Sequence, residues 1–175
     1  MTYDISQNEY LIAKTAVDIF RQNFATELAA AALVNASYDF AAPDDESIEI
    51  GDMDGVRPVY YPCIRNVVGS SSYSAPESDG IVKVRSRLIV RGYVQSFKSD
   101  DTLTGVSKLV ADTINFTSLL RKIIERDLTE ANGALGVYRV RTVGINRREP
   151  YEEGQSGLVA VGEISFDVFQ EQSRY

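Results

Sequence analysis

The period of hydrophobic and polar positions changes repeatedly along the second half of this chain. Residues 81–95 alternate as a strand does, 103–128 repeat as a helix does, and 135–146 and 157–171 alternate again. On the first strand Val82, Val84, Leu88, Val90 and Val94 share one face, and Lys83, Arg85, Arg87 and Arg91 the other. Along the helix Val106, Leu109, Val110, Ile114, Phe116, Leu119, Leu120, Ile123, Ile124 and Leu128 are apolar. At 100° per residue they cover roughly 220° of the circumference, well beyond an ordinary core stripe. Asp101 or Thr102 is the expected cap, and Asn132-Gly133 ends the helix with residues that tolerate left-handed backbone. The last two strands form a hairpin. Arg139 and Arg141 share a face of the first; Glu163, Asp167 and Glu171 share a face of the second, with Leu158, Ile164, Phe166 and Val168 opposite. Their connection, 146–157, is too long for a tight turn and reads as a projecting flap.

The first half opens with a second helical pattern, about 7–36, capped by Ser6 or Asn8. Tyr10, Ala13, Val17, Phe20, Phe24, Leu28 and Ala31 form its stripe. Residues 37–80 are acidic and then Ser-rich. A short edge strand is expected near 56–65, bounded by Pro58 and Pro62, and a mobile loop at 69–80. The expected fold is α+β: an antiparallel or mixed sheet with two long helices, in one domain. That domain comprises the N-terminal helix, the loop region 37–80 and a β-α-β-β unit over 81–171.

Composition narrows the chemistry. The chain has 175 residues, a net charge of −7 and no histidine, with a pI of about 4.7. An acidic protein lacks the basic field a general nucleic-acid or membrane-surface binder needs. Without histidine the Ser-His-Asp and Cys-His machineries are excluded within the chain, and so are most zinc sites. Cys63 is the only cysteine, so no intrachain disulfide forms; a reduced, cytosolic setting fits. The polar start is no signal peptide, and no apolar run reaches the about 18 residues of a membrane span.

The remaining candidates for chemistry are weak. Asp52-Met53-Asp54-Gly55 has part of a calcium-loop pattern, but Val56 and Arg57 stand where a ligand and a glycine belong. Asp44-Asp45 and Glu152-Glu153 are adjacent loop carboxylates that do not converge. Asp100 or Asp101 is the only acid placed to serve a helix-wrapped acyl-thioester hydrolase, the alternative from the enzyme class; a small monomeric binding module is a third reading. Cys63 has Arg65 nearby but no activating histidine, and reads as inert. No catalytic, metal or cofactor site is assigned.

Two surfaces stand out instead. The wide apolar arc predicts an oligomer interface on its outer members Phe116, Leu119 and Ile123. Lys83, Arg85, Arg87, Arg91, Arg139 and Arg141 make a basic sheet face. They either meet phosphates or pair across strands with Glu163, Asp167 and Glu171; the matching signs favour pairing. In an intermediate version some of the acids come from a neighbouring subunit.

The segments VKVRSRLIVRGYVQ (82–95), LVADTINFTSLLRKIIERDL (109–128), GALGVYRVRTVGINRRE (133–149) and LVAVGEISFDVFQ (158–170) follow one another in an order that resembles the tail-terminator or tail-completion proteins of tailed bacteriophages and the related head–tail joining proteins. The resemblance covers about 81–171 and the first helix loosely; it has no catalytic-type motif, and 37–80 has no counterpart in it. It implies a structural virion protein without enzymatic activity, assembled in the host cytoplasm. A homo-oligomeric, commonly hexameric ring would end the tail tube, join it to neck or connector proteins and let DNA pass without specific binding. A connector or stopper ring nearer the portal is the alternative within the class.

Overall fold

The computed structural model describes residues 5–51, 61–74, 81–96, 102–130, 135–152 and 157–173. Among these residues two helices, α1 (Ile5–Val34) and α2 (Thr102–Glu130), accompany five strands: β1 (Ile48–Ile50), β2 (Cys63–Tyr73), β3 (Ile81–Ser96), β4 (Val137–Glu152) and β5 (Leu158–Ser173). A short 3-10 turn, Asp45–Ser47, leads into β1. The strands form one mixed sheet in the order β1-β2-β3-β5-β4, so β1 and β4 are its edges. Only β1 and β2 pair in parallel. The class is α+β, as the periodicities predict.

The sheet is built around β3 and β5, whose antiparallel register runs unbroken from Ile81↔Ser173 to Ser96↔Leu158. Alternation sets the faces. Val84, Leu88, Val90 and Val94 of β3 and Ala160, Ile164, Phe166 and Val168 of β5 all point to the core and are buried. The helices lie on that face, α2 across β3, β5 and β4, and α1 over β1 and β2 and beside α2. One continuous core joins them, with Phe20, Phe24, Phe116, Leu120, Ile123, Ile124 and Phe166 among its fully buried side chains. The helices are also linked by charge: Glu27 of α1 accepts from Lys122 and Arg126 of α2, and Asn23 donates to Asp127 at 2.9 Å.

The helix α2 touches the sheet through a gap in its side chains. Gly92 of β3 and Gly162 of β5 are register partners. A Cβ on Gly92 would stand 2.6 Å from the Phe116 ring, and one on Gly162 would stand 2.0 Å from Thr117 Oγ1. A glycine inside a strand pattern marks such a close approach.

Several expectations are corrected. Neither Ser6 nor Asn8 caps α1, because both lie within it. Asn8 is buried instead, and exchanges two amide hydrogen bonds with Gln170 of β5 at 3.0 and 3.1 Å; Gln170 also donates to the Leu135 carbonyl. Tyr10 is exposed, while Ile12, Ala16 and Ile19 are buried, because α1 meets both the sheet and α2 and needs a broader stripe. Residues 69–73 are strand. Gly69 makes a bulge, after which Ser71 and Ser72 pair with Ser86 and Arg85. Serine hydroxyls there bond across the ladder, Ser71 Oγ to Ser86 Oγ at 2.9 Å. Residues 146–152 belong to β4 and pair with β5, so this part of the expected flap is sheet. Asp52 to Gly55, residues 56–60, 75–80, Asp100, Asp101, Asn132, Gly133 and 153–156 lie outside the described residues.

Candidate interaction surface

The sheet face opposite the helices carries the charged residues. Row by row across the strands, Glu49, Arg65, Arg91, Glu163 and Asn146 follow one another in register. Within that row Arg65 pairs with Glu49 at 3.2 Å and Arg91 with Glu163 at 2.7 Å. A second row runs Ser70, Arg87, Asp167, Arg141, and the next Ser72, Arg85, Phe169, Arg139. The far end of the same face is apolar: Cys63, Tyr93, Val159 and Val161 form a small buried cluster with Tyr61 packed on it.

Asp167 organises the charged end. Its side chain is 1% exposed, and it accepts from Arg85 at 2.5 Å and from Arg87 at 3.0 Å. Burial alone would push its pKa up, but the two guanidiniums outweigh that and hold it below the usual carboxylate range. A carboxylate so engaged stays anionic at neutral pH and is a poor proton acceptor. Phe169 lies between two cations, with the Arg85 guanidinium carbon 5.9 Å and that of Arg139 5.8 Å from its ring centre. Ser70, Ser71, Ser72, Arg85, Arg87 and Asp167 line a shallow groove of about 330 Å³. Chemically the groove is a set of ion pairs beside serine hydroxyls. Among the described residues no three His, Cys, Asp or Glu side chains gather to hold a metal ion, and no described helix is long and apolar enough to cross a membrane.

The predicted pairing therefore divides by strand. The β3 arginines Arg85, Arg87 and Arg91 pair with Asp167 and Glu163. The β4 arginines do not. Arg141 stands opposite Asp167 in register, but the carboxylate is already committed to β3, and Arg141 has no carboxylate partner among the described residues. Arg139 stacks on Phe169 and remains exposed.

The predicted interface residues are not at a surface. Phe116, Leu119 and Ile123 are 1%, 2% and 0% exposed. Most of the wide arc of α2 is covered inside the chain, one sector by the sheet and another by α1. Among the described side chains of α2, the exposed large apolar ones are Val110 and Ile114. On β4, Tyr138, Ile145 and Tyr151 are exposed along the open edge, a surface that the alternation pattern alone did not single out.

The ion pairs also set an acid dependence. Glu27, like Asp167, has a lowered pKa, in its case through hydrogen bonds from Lys122 and Arg126. A carboxylate whose folded pKa is depressed contributes stability that is present above its unfolded value, about 4, and lost as pH falls through the folded one. Asp112 works against this: burial raises its pKa, only partly offset by Lys108, so protonation there favours the fold. Denaturant midpoints should hold near neutrality and fall below about pH 4 as the Glu27 and Asp167 carboxylates lose their charge. Asp167→Asn and Glu27→Gln should each flatten that fall. With Arg85 and Arg87 half exposed, Asp167→Asn should cost only about 1 kcal/mol at pH 7. An unchanged acid slope in both variants would show that these carboxylates do not set the acid dependence.

No family profile and no curated protein matches the chain in sequence.

Proposed function

We propose that this protein is a structural subunit of a tailed-phage virion that closes into a ring, ends the tail tube and joins it to the neck. It acts by surface complementarity and makes or breaks no bond. One face of the ring copies a contact of the tube subunit and the other does not offer it, so polymerisation stops. DNA passes through the ring without specific contacts.

The observation that carries this reading is the element order. A long helix precedes a β-α-β-β unit, and both helices lie on the same sheet face, an arrangement in keeping with the sequence resemblance. Supporting it are two sheet edges that pair with no further strand among the described residues, and the exposed Tyr138, Ile145 and Tyr151 along a 16-residue edge strand. Exposed aromatic and aliphatic side chains along an edge offer apolar area for a neighbouring subunit. A ring needs a heterologous contact whose rotation closes, and different edges on the two sides of one subunit suit that geometry.

Native mass spectrometry and electron microscopy of the purified protein, alone and with tail tubes, test the reading. The expected result is a closed ring of several subunits that caps tube ends and halts their growth. A monomer under both conditions, with tubes growing on unaffected, would overturn it.

A further inference from the structure

The two edges of the sheet carry opposite charge. At the β4 edge Arg141, Arg147 and Arg148 are exposed and have no carboxylate partner among the described residues; Arg139 joins them, and Glu149 is the one acid among the strand's described side chains. At the β1 edge Asp44, Asp45 and Glu46 are exposed, and none has an ion-pair partner among the described residues. That acidic turn is fixed in place. Arg21 of α1 donates to the backbone carbonyls of Asp45 and Ile48 at 3.0 and 2.8 Å, which ties the turn to the helix without neutralising the carboxylates. Elsewhere on the sheet most charges are paired, Glu49 with Arg65, Glu163 with Arg91, and Asp167 with Arg85 and Arg87; the exposed Glu171 of β5 has no ion-pair partner among the described residues. The unpaired charges at the two edges are thus predominantly of opposite sign, and the edges are separated by the full width of the five strands.

We infer that the subunit contact joins the β4 edge of one copy to the β1 edge of the next, with Arg141, Arg147 and Arg148 facing Asp44, Asp45 and Glu46. This deepens the ring reading and rests on it. The occupant of each edge is a second copy of this chain, because the complementary surface is present on the same subunit, three cations for three anions. The contact is heterologous by construction, since a two-fold pairing would set like charges against each other. It runs through side chains more than through backbone ladders. The register of β4 with β5 is broken between Val137 and Arg139, between Thr142 and Gly144, and between Arg148 and Tyr151. Such bulges, together with Pro150, spoil an edge as a template for plain strand addition. Exposed Tyr138, Ile145 and Tyr151 on one side and Ile50 on the other provide the apolar area that charge alone does not.

Two charge-reversed full-length variants test this: Arg141→Glu/Arg147→Glu/Arg148→Glu, with two acidic edges, and Asp44→Lys/Asp45→Lys/Glu46→Lys, with two basic ones. Native mass and circular dichroism are read on each alone and on the mixture. Neither variant should form rings alone, and the equimolar mixture should form rings with alternating subunits. General charge repulsion does not produce this pattern, because the second variant moves from −7 towards neutrality. A measurement on the unaltered protein guards against misfolded variants: raising salt should weaken assembly at least about 10-fold, since exposed pairs are screened over a Debye length of about 8 Å at physiological ionic strength. If the unaltered protein forms rings and both variants form them equally well alone, the edge contact is wrong and the ring reading stands. Ring formation insensitive to salt likewise overturns the edge contact and leaves the ring. A wild-type monomer at every concentration and with tail tubes overturns both.

Discussion

Phe116→Asp is expected to unfold the protein rather than release a subunit from a ring. The Phe116 ring is 1% exposed. It lies 4.9 Å from the Phe24 ring of α1 and 5.7 Å from Phe40, and it sits on the backbone of β3 at Gly92. It is the point where α1, α2 and the sheet meet. Truncation to alanine at such a site costs about 3–5 kcal/mol, a large share of the about 5–15 kcal/mol that holds a domain folded. Aspartate adds the cost of an unpaired buried charge. Phe116→Leu, which keeps much of the volume, should cost clearly less than alanine. Ile114→Asp, two residues away on the exposed side of the same helix, should stay within about 1 kcal/mol of the parent. Denaturant melts and circular dichroism at equal concentration separate these outcomes. A Phe116→Asp protein that melts like its parent would mean that α2 does not pack as described.

That expectation reverses the one the sequence suggests for the same residue, and the reversal has a physical cause. A broad apolar arc on a helix records how many neighbours cover it, but not whether they belong to the same chain. On α2 the sheet takes one sector and α1 another. The periodicity of 103–128 and of 7–36 reveals both helices, yet no pattern along either says that they lie side by side. Strands β3 and β5 are legible because one face is buried and alternation is strict there: Val84, Leu88 and Val90 against Ile164, Phe166 and Val168. Strand β2 is hidden for the opposite reason. Gly69 and three serines read as loop, yet after the bulge at Gly69 they continue the backbone ladder with β3, and their hydroxyls add bonds to it.

The charged face is half legible. Matching signs at Arg87, Arg91, Glu163 and Asp167 indicate cross-strand pairs, and those form. Sign alone does not say which of several arginines obtains a given carboxylate. Asp167 has arginines on both neighbouring strands, Arg87 on β3 and Arg141 on β4. It takes Arg85 and Arg87, and Arg141 is left outward. The outward Arg141 is a consequence of that competition, which depends on three-dimensional reach and has no signature in spacing; Arg147 and Arg148 stand opposite Gly162 and Val161 and have no carboxylate to compete for.

Gly162→Ala should destabilise the protein by about 3 kcal/mol, at the upper end of what one added methyl group costs in a packed site. The new Cβ would stand 2.0 Å from Thr117 Oγ1 and 3.2 Å from Thr117 Cβ. Thr117 has little freedom to yield. Its branched side chain is stiff about χ1, it is 1% exposed, and its hydroxyl donates to the Thr113 carbonyl at 2.5 Å. Gly92→Ala should cost a comparable amount, since its Cβ meets the Phe116 ring at 2.6 Å and Leu120 at 2.8 Å, and the ring is held in turn by Phe24 and Phe40. Gly144→Ala on β4 is the control, because a Cβ there meets nothing within 4 Å; it should be neutral. The mechanism has its own signature in a double-mutant cycle. Thr117→Ala removes the clashing hydroxyl, so Gly162→Ala should cost markedly less in that background than in the parent, a favourable coupling of about 1–2 kcal/mol. Strictly additive costs would show that Gly162 is required for something other than the approach of α2 to the sheet.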